Sequence, residues 1–130
     1  MSAVIRLARA DEVALLQQIE VEAGRLYGQV GMPEDFEGLP TDLVAAAIAE
    51  ALVWVVEEEA RAVGFALCWD RGEALHLREL DVLPSHMRRG LGRMLVEHVG
   101  AQARVRGHDY VSLTTFRDVP WNAPLYRRWG

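Results

Sequence analysis

The sequence predicts an α/β (α+β) fold in a single domain spanning residues 1–130. Three observations lead there. Strand-like and helix-like segments follow one another in the order β-α-α-β-β-β-α-β-α, read from whether apolar residues recur at period two or near 3.6. Short polar turns join three successive strands, so neighbouring strands fold back on each other as hairpins. One strand runs into a proline, a basic loop and two spaced glycines that open an amphipathic helix.

Ala3 to Ala8 alternates around Val4 and Ile5 and reads as the first strand. Asp11 is placed to cap a helix that carries Val13, Leu16, Ile19 and the stretch Glu20 to Ala23. Gly28, Gly31 and Pro33 end it. Residues 28–40 form a loop with the acidic cluster Glu34, Asp35 and Glu37. Thr41 or Asp42 caps a second helix that runs to about Glu50. Leu52 to Val56 is a strand, residues 57–60 are a turn, and Arg61 to Trp69 is its hairpin partner. Asp70-Arg71-Gly72 turns into a strand over Ala74 to Leu83. Leu91, Met94, Leu95, His98, Val99 and Gln102 give the next helix its apolar face, and Gly107 closes it. Tyr110 to Phe116 is the fifth strand, and Asn122 to Trp129 starts a last helix.

Composition removes several classes of function. With 51% hydrophobic and 25% charged residues the chain is an ordinary globular one. A net charge of −5 argues against bulk nucleic acid as a partner. No apolar run is long enough for a membrane span, and residues 1–10 alternate instead of forming a secretory block. The lone Cys68 excludes an internal disulfide, fits a cytoplasmic location and, among apolar neighbours, reads as a buried inert thiol. His86, His98 and His108 lack metal-ligand spacing, and no metal is expected.

Most of the chemistry converges on residues 80–95. The first-turn N–H groups of a helix point outward unpaired, and the helix dipole favours an anion there. Gly90 and Gly92 let a phosphate approach the backbone, and Arg88, Arg89 and Arg93 add cations. Two nucleotide motifs compete for the segment. A dinucleotide fingerprint lacks its third glycine, because Leu95 or Val96 stands there. A P-loop lacks its lysine, since all 14 basic residues are arginine.

Leu80 to Leu95 resembles motif A of the GNAT superfamily, the acyl-CoA-dependent N-acyltransferases. Val82 and Pro84 match its strand end, and Gly90 and Gly92 match its glycines. Met87 stands where the family has Arg or Gln. Asn122 to Gly130 resembles motif B, with Asn122, then Tyr126, then a closing Gly130, and Thr114 to Trp121 leads into it as in bacterial members. The resemblance is detailed from about Ala74 onward.

It implies a mixed, mostly antiparallel central sheet with helices on both faces. The strand ending at Val82 and the strand starting at Tyr110 would splay apart to admit the pantetheine arm. The backbone of Leu80, Asp81 and Val82 would bond that arm as an added strand does. Met87, Arg88, Arg89, Gly90, Leu91, Gly92 and Arg93 would hold the diphosphate, with Asn122 and Tyr126 completing the acetyl-CoA site. Asp81 is accordingly counted as a cofactor contact. The family usually continues with further strands after the position of Gly130, so the C-terminal strands are expected to be missing through truncation.

Acyl transfer to an amine needs a neutral amine and a proton for the leaving thiolate. Neutralising a lysine-like amine at pH 7 costs about 4.6 kcal/mol. Tyr126 occupies the position of the family's general acid. The base is His76 or Glu79, which alternate on opposite faces of one strand. Asn122 serves equally as a helix cap, and Glu34, Asp35 and Glu37 either attract a cationic acceptor or form a solvated loop face. The implied function is transfer of an acetyl group from acetyl-CoA to a primary amine of a small molecule or a protein. The alternatives are a CoA-binding regulatory module with this fold, and a different phosphate-ligand domain. A homodimer is compatible with the sequence.

Overall fold

A computed structural model describes residues 3–28, 39–87 and 89–113, with the helical backbone alone over 24–28. Strand β1 (Ala3–Leu7) leads through a 3-10 turn (Ala10–Glu12) into α1 (Val13–Gly28). Helix α2 (Thr41–Ala49) precedes strands β2 (Val53–Glu58), β3 (Arg61–Asp70) and β4 (Ala74–Val82). A second 3-10 turn (Pro84–His86), helix α3 (Leu91–Val105) and strand β5 (Tyr110–Leu113) complete the described elements. No helix among the described residues is long and apolar enough to cross a membrane. The expected Asn122 helix, the acidic cluster Glu34, Asp35 and Glu37, and the second half of the fifth strand lie outside the described residues.

The five strands form one sheet in chain order, β1-β2-β3-β4-β5. The first three pairings are antiparallel and β4 pairs with β5 in parallel, the mixed and mostly antiparallel sheet that was expected. The parallel pairing covers Ala74 to Leu77, opposite Tyr110 to Leu113. Arg78 is the extra residue of a bulge opposite Cys68, and from Glu79 to Val82 β4 pairs with β3 alone among the described residues.

Helices cover both faces. Each strand turns successive side chains to opposite sides. On β4, Leu80 lies beside Gly92 of α3, while Glu79 and Asp81 lie beside Glu20 of α1. Helix α3 buries Leu91, Leu95, Val99 and Ala103, a row spaced by four residues that makes one continuous stripe. Helix α1 buries Leu16, Ile19, Glu20 and Ala23. Between the layers lie Val53, Val55, Phe65, Leu67, Leu75 and Leu77. Trp54 meets His98 of α3 edge-on at 5.7 Å, and Arg106 lies 5.6 Å over the same ring. Burial lowers the pKa of His98, which favours its neutral form in that contact.

Three local expectations change. Asp11 does not cap α1. The bond that closes the helix entry lies in the 3-10 turn before α1, where the Glu12 carboxylate accepts the Arg9 N–H at 2.7 Å. Arg6 fixes this choice by donating to both Glu12 oxygens at 2.9 and 2.8 Å. Helix α2 takes Pro40 as its N-cap without a side-chain bond, so neither Thr41 nor Asp42 caps it. Thr41 Oγ1 instead accepts from Gln17 Nε2 at 3.0 Å, tying α2 to α1. The turn after β2 is shorter than residues 57–60. Arg6 donates to Glu57 at 2.9 Å and holds it in the sheet, which leaves only Glu59 and Ala60 to turn, at φ 54° and 63°.

Gly64 lies where the sheet packs tightly. A Cβ there would stand 2.8 Å from the Asp81 carbonyl oxygen, 3.1 Å from Val56 Cγ1 and 3.2 Å from Val82 Cγ2. Gly64→Ala should therefore lower stability by about 1–3 kcal/mol through overpacking, measurable as a fall in the urea midpoint.

Arg6 also creates a pH dependence. Its hydrogen bond pulls the Glu12 carboxyl down from 4.5 to about 2, against the opposing effect of burial. The stability this gives is present above pH 4.5 and is lost as pH falls toward 2, because the unfolded chain takes up the proton first. Thermal melts between those limits should show that limb in the wild type and a flatter one in Glu12→Gln.

Candidate functional site

The site grows out of the C-terminal end of β4 and the turn that follows. Pro84 cannot continue the β4 pairing, and its ring suits the first position of the 3-10 turn. Gly90 then caps α3 at φ 79° and ψ 10°, a left-handed conformation that glycine adopts without steric cost. Among the described residues no side chain caps the start of α3, and its first turn has no acidic residue. A Cβ on Gly90 would meet nothing within 4 Å, and one on Gly92 would meet only Leu80 Cδ2, at 3.9 Å. Packing within the described residues therefore does not require either glycine to lack a side chain. Helix starts of this kind, without a side-chain cap, are where anions bind in proteins generally.

The arginines divide. Arg89 donates to Glu58 Oε1 at 2.9 Å, so the loop is tied to the end of β2. His86 Nε2 lies 3.7 Å from the same oxygen. Arg93 donates to Glu97 one turn along α3, at 2.8 Å. Arg88 lies outside the described residues. The Met87 N–H bonds to the Pro84 carbonyl at a long 3.4 Å. Leu91 is buried in the core and Leu80 is half-buried beside the start of α3. Val82 sits opposite Gly64 on β3.

The two candidate bases, expected on opposite faces of the strand, share one face: a β-bulge at Arg78 shifts the register, so that His76 pairs with Trp69 and Glu79 with Leu67, two residues apart on β3. His76 is 4% exposed, lies 2.7 Å through Nδ1 from Ser112 Oγ on β5, and stacks on Trp69 at 6.0 Å. Burial, then the charges of Arg71 and Arg78, lower its pKa and favour the neutral ring. Arg78 lies 5.4 Å over the same Trp69 ring. Glu79 is turned to the α1 side, with Arg78 Nη1 3.6 Å from its Oε1.

Glu79 has company that sequence reasoning missed. Oxygens of Glu20, Glu79 and Asp81 lie within 4.8 Å of one another, and all three residues are buried. Glu20 Oε1 accepts the Leu39 N–H at 2.7 Å. Burial is the main force on the Glu20 carboxyl; with the like charge of Glu79 it outweighs that bond and the charge of Arg78 and raises the pKa to about 7. Asp81 is pushed well above the usual carboxylate range by burial, then by the charge of Glu79 and a hydrogen bond shared with it, then by Glu20. Among the described residues Asp81 Oδ2 has no hydrogen-bond partner. The expected cofactor contact, Asp81, thus places its side chain in a carboxyl cluster. The signal for Glu20 was present in the sequence: an acid inside the helical row Leu16, Ile19, Glu20, Ala23.

These three form the one group of side chains among the described residues that could share a cation. None of His86, His98 and His108 belongs to it. Cys68 is fully buried and its thiol is pushed up to about 12 by burial, so it is not a thiolate nucleophile. Asn122 and Tyr126 lie outside the described residues.

Comparison with known proteins bears on this arrangement. A family model described as acetyltransferase (GNAT) domain matches residues 49–130. The fold is similar to that of PaiA N-acetyltransferase from Thermoplasma acidophilum in complex with coenzyme A. The TM-score is 0.88 at 14% identity, covering 100% of this chain and 89% of that one. It is also similar to the ribosomal-protein-S18-alanine N-acetyltransferase of Escherichia coli, with a TM-score of 0.81 at 21% identity, covering 99% and 77% of the two chains. An aminoglycoside acetyltransferase from an uncultured soil metagenomic sample gives a TM-score of 0.72 at 18% identity, covering 100% and 91%. At such identities the structural likeness speaks for the fold, and the family match speaks for the lineage. The match begins before β2 and runs through β4, the glycine-capped turn and α3. On that match the chain belongs to the GNAT acetyltransferase family, a family of acyltransferases.

Proposed function

We propose that this protein is an N-acetyltransferase that moves the acetyl group of acetyl-CoA directly to a primary amine of a small molecule or a protein. The observation that carries the reading is the uncapped start of α3 beside the part of β4 that lacks a described β5 partner. One cofactor with both a diphosphate and an extended amide arm suits these two features together. The coenzyme A complex of the similar Thermoplasma acidophilum protein supports the same choice.

Acetyl-CoA, when bound, supplies an activated thioester. The first-turn N–H groups of α3 bind the diphosphate, and Gly90 and Gly92 keep side chains away from it. The backbone of Leu80, Asp81 and Val82 pairs with the amide arm and orients it along the open edge. Glu79 takes the proton from the ammonium form of the acceptor. It is preferred to His76 because His76 is already held between Ser112 and Trp69. Tyr126, carried over from the family motif, returns a proton to the leaving thiolate, and Asn122 holds the arm. The acceptors named for the similar proteins differ, an alanine of a ribosomal protein in one and an aminoglycoside in another. A primary amine is the chemistry that the reading assigns here.

Calorimetric titration of acetyl-CoA at fixed salt, beside ATP and NAD, tests the cofactor. Selective binding of acetyl-CoA is the expected result; nucleotide binding without it would sink the reading. Gly92→Ala should keep or slightly raise the melting temperature, because alanine is the better helix former by about 1 kcal/mol. The same change should weaken acetyl-CoA binding by about tenfold or more, from a methyl group placed against the diphosphate. Tyr126→Phe should leave acetyl-CoA binding nearly intact while thiol release falls by roughly 10² or more. Unchanged turnover in that variant would remove Tyr126 from the mechanism.

A further inference from the structure

Acetylation of an ammonium releases one net proton, and that proton needs a destination. Consider an acceptor that arrives as the cation. One N–H bond breaks and its proton leaves. The nitrogen lone pair forms the new C–N bond as the C–S bond breaks. The amide nitrogen then sheds a second proton, and the leaving thiolate takes up one. One proton of the two remains with the protein.

A single ionised carboxylate could accept it, but Glu79 does not stand alone. It shares a hydrogen bond with Asp81 and lies within 4.8 Å of a Glu20 oxygen. Glu20 comes from α1, far from β4 in sequence, and is 2% exposed, whereas Glu79 is 7% exposed. Glu79 is thus the outer member of the pair and Glu20 lies deeper. The second pointer is Asp81 Oδ2, an acceptor atom buried without a donor among the described residues, in a residue only 3% exposed. A buried acceptor of that kind is costly unless a proton or a donor reaches it at some stage of the cycle.

We propose that Glu20 is a positioning residue for acyl transfer, which receives through Glu79 and the shared carboxyl cluster the proton shed by the acceptor amine. The inference rests on the acyl-transfer reading above and adds a residue from α1 to it. The groups that set the ionisation of Glu20 are Glu79 and Arg78 of β4, together with the Leu39 N–H. Asp81 of β4 is the third carboxyl in the cluster. Burial places Glu20 at about 7, where a carboxyl both takes up and releases a proton near neutral pH. Three ionised carboxylates at this spacing would repel strongly, and Glu20 and Asp81 are both pushed toward the protonated form.

The test uses the full chain with two readouts. Glu20→Gln is the variant of choice because the amide oxygen can still accept the Leu39 N–H. Carbon-13 NMR of the Asp and Glu carboxyls, from pH 4 to 9, should show a group titrating near neutrality in the wild type and its loss in Glu20→Gln. The second readout is the pH profile of acetyl transfer to an amine found by thiol-release screening. Its acid limb should move down by about one unit in the variant and kcat should fall about tenfold, with the Kd for acetyl-CoA unchanged. Coincident pH profiles, or no carboxyl titrating between pH 6 and 8 in the wild type, would overturn the proposal. If acetyl-CoA fails to bind, the acyl-transfer reading falls and the role of Glu20 in it falls too. If acetyl-CoA binds and the carboxyl titration is absent, only the role of Glu20 is lost.

Discussion

The rest of the structure depends on the alternation of side chains along β4. Period-two geometry forces neighbouring residues of a strand to opposite faces. Because β4 is covered by α1 on one face and α3 on the other, that alternation sorts chemistry into two compartments. Leu80 supports the start of α3, and with it the glycine-capped turn. Glu79 and Asp81 face α1 and meet Glu20. A one-residue slip of register would exchange the two sets and ruin both. Gly64 holds the register tightly, since its bare backbone packs against the Asp81 carbonyl.

Charge is handled in two opposite ways. At the N-terminal end of the sheet, Arg6 bridges Glu12 and Glu57, so two carboxylates share one guanidinium and the helix entry is locked to the sheet edge. In the α1-facing cluster Arg78 lies 3.6 Å from Glu79, while Asp81 keeps an oxygen without a partner among the described residues. The first arrangement satisfies its groups and rigidifies. The second leaves acids partly unsatisfied in a low-dielectric interior, where protonation relieves the strain of like charges. Perturbed acids of that second kind gather at functional sites more often than in plain cores.

Much of the fold was legible in the sequence because strand alternation, glycine and proline are local signals. The strand pattern around Val4 and Ile5, the Leu91-Leu95-Val99 row and the Pro84 to Gly90 turn all correspond to observed elements. Helix entries were misread at Asp11 and Thr41, since the deciding partners, Arg6 for Glu12 and Gln17 for Thr41, come from elsewhere in the chain. Glu57 was read as turn for the same reason: its bond to Arg6 crosses to another strand.

The sequence by itself determined the order of elements and the glycines that shape the start of α3. Each of these follows from backbone sterics and periodicity over a few residues. The bulge at Arg78, which brings His76 to the face of Glu79, was not legible from strand alternation. Tertiary structure alone decided that Arg89 is held by Glu58, that His76 is clasped by Ser112 and Trp69, and that Glu20 joins Glu79 and Asp81. These contacts join residues remote in sequence, and their effect on pKa depends on burial. Neither the distance between two carboxylates nor the water excluded from them is encoded in local spacing; both arise only when α1 closes over β4.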